Sequence, residues 1–254
     1  IQDTIEGSDY SLRVHYLDED ADEVKEAVRM CREHKPMGIL FLGGNIQYFH
    51  EEFELVNVPC VLVTDRADKL GFRNLASVST DDMAAAEMAV DYLFDHGHRD
   101  IAVIGGDMAL SSPSKYRKAG AKRSFIKHGC EFEEESYAVA RFSYESAYNA
   151  MNRMLASQRS ITAVFAMSDV MAVGAMRAIF DAGLRVPEDI SVIGFDGTLL
   201  ADYYNPKIVT VCQGYEKIAR KSIDLLFGMI DLNKPATHEL VPFSLKNTES
   251  VSSI

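Results

Sequence analysis

No apolar run in this chain approaches the ~20 consecutive residues that a membrane-spanning helix needs. The longest, such as Ile101–Ile104, are strand-sized, so no membrane partner is expected. Basic residues are few beside acidic ones: 26 Lys and Arg stand against 38 Asp and Glu, a net charge of −12. An acidic surface repels phosphate backbones, and no local run of Lys and Arg reverses it. The chain by itself is therefore a poor nucleic-acid binder. Cysteines number four, Cys31, Cys60, Cys130 and Cys212, with no C-x-x-C spacing. That excludes the usual zinc and redox motifs. Cys60 lies in an apolar run and reads as a buried thiol. Free thiols fit a reducing cytoplasm, although four cysteines could form two pairs. The first ten residues carry Asp3, Glu6 and Asp9 and no apolar core, unlike a signal peptide. Ile1 and Ile5, with acids between and after them, read as the end of a helix.

Catalytic signatures are also missing. G-x-G-x-x-G, a P-loop, G-x-S-x-G and H-E-x-x-H do not occur. No Ser or Cys sits at a strand-to-helix elbow with a His to activate it. His96 and His98 alone are too few for a metal site. Neither enzyme chemistry nor a metal or other cofactor is expected.

What the chain has is 254 residues, 47% of them hydrophobic, enough for one large core or two smaller ones. Apolar strand-like runs alternate with segments of helical period. Strands are expected at Leu12–Leu17, Gly38–Leu42, Val61–Val63, Ile101–Ile104, Tyr137–Ala140, Ala163–Ala166 and Ile190–Ile193. Helices are expected over Asp22–Glu33, Asp82–His96, Tyr116–His128, Tyr144–Ser157, Val170–Ala182 and Tyr215–Met229. Gly97, Gly129 and Gly183 stop three of them. This alternation predicts an α/β fold with parallel, doubly wound sheets.

The most informative stretch is Val186–Asp196, Val-Pro-Glu-Asp-Ile-Ser-Val-Ile-Gly-Phe-Asp. A buried parallel strand opens after a Pro turn and runs out at Asp196. In open α/β sheets, ligands bind at the carboxyl ends of strands. Five strands end in polar residues: Asn45, Asp65, Asp107, Asp169 and Asp196. Carboxylates accept hydrogen bonds from hydroxyls and Arg donates to oxygens, which suits a polyhydroxylated ligand. Acids in such places also cap the following helix. For Asp169, which leads straight into a helix, both readings stand. Gly197 follows Asp196 and no strong helix begins there, which favours a ligand role for Asp196.

These residues resemble the lactose/galactose repressor (LacI/GalR) family of bacterial transcription regulators, specifically its effector-binding domain. The likeness is carried by Val58-Pro59 through Asp65-Arg66, Val78-Ser79-Thr80-Asp81-Asp82, and His96-Gly97-His98-Arg99-Asp100-Ile101. It continues through Arg117 with Gly120, Thr162–Phe165 to Asp169 with Gly174-Ala175, Val186–Asp196, Pro206–Gln213 and Glu249-Ser250-Val251, which is similar to the family's terminal strand. The resemblance implies two Rossmann-like lobes of the type I periplasmic-binding-protein kind, joined by three crossovers near Val78–Thr80, Val211–Gln213 and Val241–Ser244. One lobe would be residues 1–79 and 213–241, the other 80–212 and 242–254, with the effector between them. It further implies that a first strand with its ligand-contacting loop, a hinge helix and a helix-turn-helix headpiece are lacking before Leu12.

The same resemblance assigns roles. Asp196 matches the family's effector-accepting Asp, and Arg117 the Arg of an Arg-x-x-Gly motif that reaches the effector. Phe142 matches a position where an aromatic ring stacks on the ligand. Ser168 stands where many members have Asn. Asp81 lies at the first crossover, facing the cleft or holding the hinge. His98 and Arg99 are expected to be structural. The sequence departs from the pattern at Gly197 (usually Asp or Asn), Ala121 (usually aromatic) and Thr248 (often Arg). Asp65 matches the family acid only with a one-residue shift past Thr64. The implied function is an effector sensor, cytoplasmic and homodimeric, that reaches operator DNA only through the absent headpiece. Its effector would be a sugar or sugar derivative, or a nucleoside or purine stacked on Phe142. The alternative is a periplasmic or membrane-tethered sugar-binding protein for transport or chemotaxis.

Overall fold

The computed structural model describes residues 1–18, 21–157 and 160–254. The chain forms two compact units, residues 1–80 with 214–241 and residues 81–213 with 242–254, so it passes between them three times. In chain order the first unit contributes α1 (Gln2–Glu6), α2 (Glu23–His34), β1 (Ile39–Leu42), β2 (Cys60–Val63) and β3 (Leu75–Thr80). The second follows with α3 (Asp82–Asp95), β4 (Ile101–Gly105), α4 (Ser112–Lys127), β5 (Tyr137–Val139), α5 (Tyr144–Ala156), β6 (Ala163–Ala166) and α6 (Asp169–Asp181). It continues through β7 (Ser191–Asp196), α7 (Leu199–Tyr203) and β8 (Val209–Cys212). The chain returns for α8 (Tyr215–Leu232) and β9 (His238–Val241), and ends in the second unit with β10 (Ser244–Lys246). The α/β class and its parallel sheets are as expected.

The first unit's sheet is parallel throughout, in the order β1-β2-β3-β9. Its strands β1 and β2, Ile-Leu-Phe-Leu and Cys-Val-Leu-Val, are apolar on both sides because both are covered, as parallel sheets require. Val24, Phe41, Phe53, Leu62 and Leu75 pack on the α2 side. Val61, Val63, Ala76 and Val78 pack with Ile218 and Leu226 of α8 on the other. The second unit's sheet runs β10-β8-β7-β6-β4-β5, with only β10 antiparallel. Phe165, Phe195, Met167, Met171 and Met176 fill its core. Helix starts follow short polar caps: Asp22 accepts from the N–H groups of Val24 and Lys25, and Ser111, Ser143 and Ser168 each accept from an N–H three residues on.

Two local expectations fail, each for a physical reason. Leu12–Leu17 is not a strand. Its apolar alternation at Leu12, Val14 and Tyr16 fits the template, but a strand needs a partner ladder, and β1 is an edge strand paired only with β2. Tyr16 is 93% exposed in consequence. Glu249–Val251 is not a strand either. Ser250 instead uses its side chain: Oγ donates to the Val192 carbonyl and accepts from Val209 N–H at 2.8 Å, while its carbonyl accepts from Val192 N–H. After Asp196 only a short helix, α7, follows, five residues long and without a side-chain cap, in keeping with the expectation that no strong helix begins there. β10 also forms where only a crossover was expected.

Candidate functional site

β4, β6, β7 and β8 are parallel neighbours, so their carboxyl ends share one edge of the second unit. Asp196 ends β7 there. Its side chain is 21% exposed, and its backbone takes φ +111°, an uncommon conformation for a residue with a Cβ. Gln213, just past β8, donates from Nε2 to Asp196 Oδ1 at 2.6 Å, and its N–H donates to the Asp196 carbonyl at 3.2 Å. The carboxylate is thus aimed by the neighbouring strand.

Arg117 reaches the same place from α4. Only 4% exposed, it is not a surface arginine. Nε donates to Asp82 Oδ1 at 2.7 Å, and Nη1 donates to the Met167 carbonyl at 2.6 Å and lies 3.9 Å from Asp196 Oδ1. Its guanidinium carbon stands 3.8 Å from the Phe195 ring centroid, a cation–π contact. Burial raises the Asp82 carboxyl from its ordinary value, and the Arg117 charge pulls it back. Arg117 therefore carries charge beneath the edge and braces Asp196, with Nε and Nη1 both donating to protein acceptors.

The remaining expected residues divide. Ser168 follows β6, is buried, and caps α6 by accepting from Met171 N–H at 3.1 Å. Phe142 follows β5, is 39% exposed, and lies over Gly106 at the end of β4; a Cβ built on Gly106 would sit 2.9 Å from the ring. Asp169 is fully buried. It accepts from the N–H and hydroxyl of Thr198 and from the hydroxyl of Thr210, so its carboxylate is turned into the protein. Burial raises its carboxyl, against the lowering effect of those hydrogen bonds. Asp81 is the α3 N-cap, accepting from Ala84 N–H at 3.1 Å. Asp107 makes a local turn to Ala109 N–H.

Asn45 and Asp65 belong to the first unit, at the ends of the adjacent strands β1 and β2. Asn45 caps a short 3-10 turn at Gln47, and its N–H donates to Glu23. Asp65 is buried and accepts from Arg66 N–H at 2.7 Å, after Thr64 at φ +71°.

Asp82, Gln213, Thr198 and Thr210 escaped the sequence reading. Gln213 was within reach: it is the polar residue ending an apolar run, the same signal that found Asp196. Asp82 was hidden behind Asp81, since two adjacent acids at a helix start look alike until one caps and the other turns inward. His98 and Arg99 do hold structure. His98 bonds Thr162 Oγ1 and the Ser252 carbonyl, and Arg99 donates to the carbonyls of Phe94 and His98. Among the described residues no three His, Cys, Asp or Glu side chains are grouped to hold a metal, and no helix is long and apolar enough to cross a membrane.

With this geometry in view, the comparisons with known proteins are specific. Residues 90–251 match the periplasmic binding protein-like domain family. The chain is 34% identical over 236 residues to the HTH-type transcriptional regulator MalR of Clostridium butyricum, covering 91% of this chain and 70% of that protein. This chain belongs to the LacI/GalR family of transcriptional regulators. To the probable HTH-type transcriptional repressor ExuR of Bacillus subtilis (strain 168) this LacI/GalR chain is 36% identical over 193 residues, 76% of its own length and 56% of the repressor's. A solved structure, the transcriptional regulator CelR–cellobiose complex, superposes with a TM-score of 0.81 at 26% identity, covering 90% of this chain and 70% of that one. This LacI/GalR chain thus spans 56% to 70% of the length of these two relatives, the effector-binding part of a regulator.

Proposed function

We propose that this chain senses a sugar or sugar derivative and, in the full-length regulator, adjusts the affinity of a DNA-binding headpiece for operator DNA. The observation that carries the reading is Asp196: a part-exposed carboxylate at a strand's carboxyl end, oriented by Gln213 and braced by Arg117. A carboxylate so held accepts bonds from two vicinal hydroxyls, and the half-exposed Phe142 ring offers an apolar face to a pyranose. The likeness to the cellobiose-bound regulator supports the same ligand class. Ligand binding acts by favouring one conformation of the regulator over another. Arg117 braces Asp196 in the second unit, Phe142 and Ser168 are further ligand contacts of that unit in this reading, and Asn45 and Asp65, at strand ends of the first unit, are separate candidates. Asp81 acts through its helix cap. The regulator works as a cytoplasmic homodimer and binds without turnover.

The test is a thermal-shift screen of monosaccharides, disaccharides including cellobiose, sugar phosphates and nucleosides, followed by calorimetry. A true ligand at a hundredfold excess over Kd adds about 2.7 kcal/mol of stability. Asp196→Ala is expected to abolish the response while leaving the chain folded. Stabilisation by nucleosides alone would replace the sugar with a base stacked on Phe142, and unchanged affinity in Asp196→Ala would overturn the site.

A further inference from the structure

One buried carboxylate has a use that neither a helix cap nor a ligand contact explains. Asp169 Oδ2 accepts from Thr198 N–H at 2.7 Å and from the Thr198 hydroxyl at 2.8 Å. Its Oδ1 accepts from the Thr210 hydroxyl at 2.6 Å, and Thr210 Oγ1 in turn accepts from Gly197 N–H at 3.2 Å. The two residues that follow Asp196 are therefore both tied down, from α6 and from β8. Space for the carboxylate comes from Gly194 in β7, where a Cβ would lie 2.5 Å from Asp169 Oδ1.

The segment so held is the strained one. Asp196 sits at φ +111° and Gly197 at +73°. A non-glycine residue in such a region is strained and persists only where its surroundings over-determine it. Three protein donors on one fully buried carboxylate leave a ligand no approach to it.

We propose that Asp169 and Thr210 are positioning residues: they set the main-chain path of Asp196–Thr198 and so present the Asp196 carboxylate to the ligand, touching no ligand themselves. The inference rests on the reading of Asp196 as the ligand's acceptor. Released from the clamp, Asp196 relaxes to ordinary extended backbone and its side chain leaves Gln213.

The test uses the whole chain with Thr210→Val, which keeps shape and removes the hydroxyl, and Thr210→Ser, which keeps the hydroxyl. In crystals of Thr210→Val, Asp196 is expected to leave positive φ and lose the Gln213 bond while α6 and β8 stay in place. Thr210→Ser is expected to match the unsubstituted chain. Cellobiose affinity by calorimetry is expected to fall at least tenfold in Thr210→Val and hold in Thr210→Ser. Combined with Asp196→Asn, Thr210→Val is expected to cost nothing further. A merely structural role would lower the melting temperature and leave Kd unmoved. An unshifted Asp196–Thr198 segment in the Val variant overturns the proposal, and so does an additive affinity loss in the Asp196→Asn background. If the Val variant does not fold, Asp169→Asn, which preserves volume and an acceptor for Thr198, is judged by the same criteria. Should the unsubstituted chain bind no sugar in the screen, that result counts against the sugar reading, and the crystallographic comparison alone decides the positioning role.

Discussion

Gln213 holds Asp196 twice, side chain to side chain at 2.6 Å and main chain to main chain at 3.2 Å. The second bond continues the parallel β7–β8 ladder, in which Asp196 pairs with Cys212. The first converts that ladder into a fixed carboxylate. Gln213→Ala keeps the ladder and frees the carboxylate, so affinity for the sugar found in the screen is expected to weaken by roughly tenfold, about 1.4 kcal/mol. Calorimetry on the folded variant measures this; an unchanged Kd would show that Gln213 does not orient Asp196.

The Arg117–Asp82 pair makes a stability prediction. Both side chains are nearly inaccessible. Removing one partner strands the other charge in the interior, at a cost of about 3–5 kcal/mol, whereas replacing both with apolar groups is often neutral. Arg117→Met is expected to lower the urea midpoint strongly, and Asp82→Leu with Arg117→Met to regain at least half of the loss. Equal destabilisation by the single and double variants would mean that Arg117 matters for its packing on Phe195 instead.

Much of this architecture could be read from the residues, for identifiable reasons. β4, β6 and β7 are buried on both faces, so their apolar runs carry no competing pattern, and Asp196 is marked by the end of such a run. Asp82, Thr198 and Thr210 carried no such mark, because their roles come from side chains meeting across 29 to 41 residues of sequence. Leu12–Leu17 shows the opposite failure: local alternation was present and the neighbouring strand was not. Asp169 was a double reading, cap or ligand; the cap is Ser168, and the Asp169 carboxylate faces inward.

Gly197 is one of the positions where the sequence differs from what the resemblance implies, and the structure gives a reason for the glycine. A Cβ there would lie 2.5 Å from Cys212 Sγ and 2.7 Å from Cys212 Cα, at φ +73°. Gly197→Asp is thus expected to damage the site. Gly129→Ala is the control: similar φ at +70°, with nothing within 4 Å of the new Cβ. That change should cost only the left-handed strain, about 1–2 kcal/mol. Gly197→Ala should cost more and should also reduce ligand affinity. Equal thermal shifts for the two alanine variants would show that the loop moves aside from Cys212.

His98 supplies a pH prediction. It is buried, with Nε2 donating to the Ser252 carbonyl at 3.0 Å and Nδ1 facing the Thr162 hydroxyl at 3.1 Å. This geometry suits the neutral ring. Burial first, then the nearby His96 and Arg99 charges, lower its pKa below the ordinary value of about 6.5, against the raising effect of the Ser252 bond. Between the lowered folded value and 6.5 the unfolded chain binds a proton that the native chain does not. Stability therefore rises with pH through that window and is lost as pH falls through it. Unfolding midpoints measured from pH 8 to pH 5 are expected to drop below about pH 6.5. His98→Gln, though less stable at pH 7, is expected to lack this part of the slope. Parallel pH profiles for the two proteins would mean that His98 titrates as it does in water and that the Gly97–Asp100 turn is held by its neighbours.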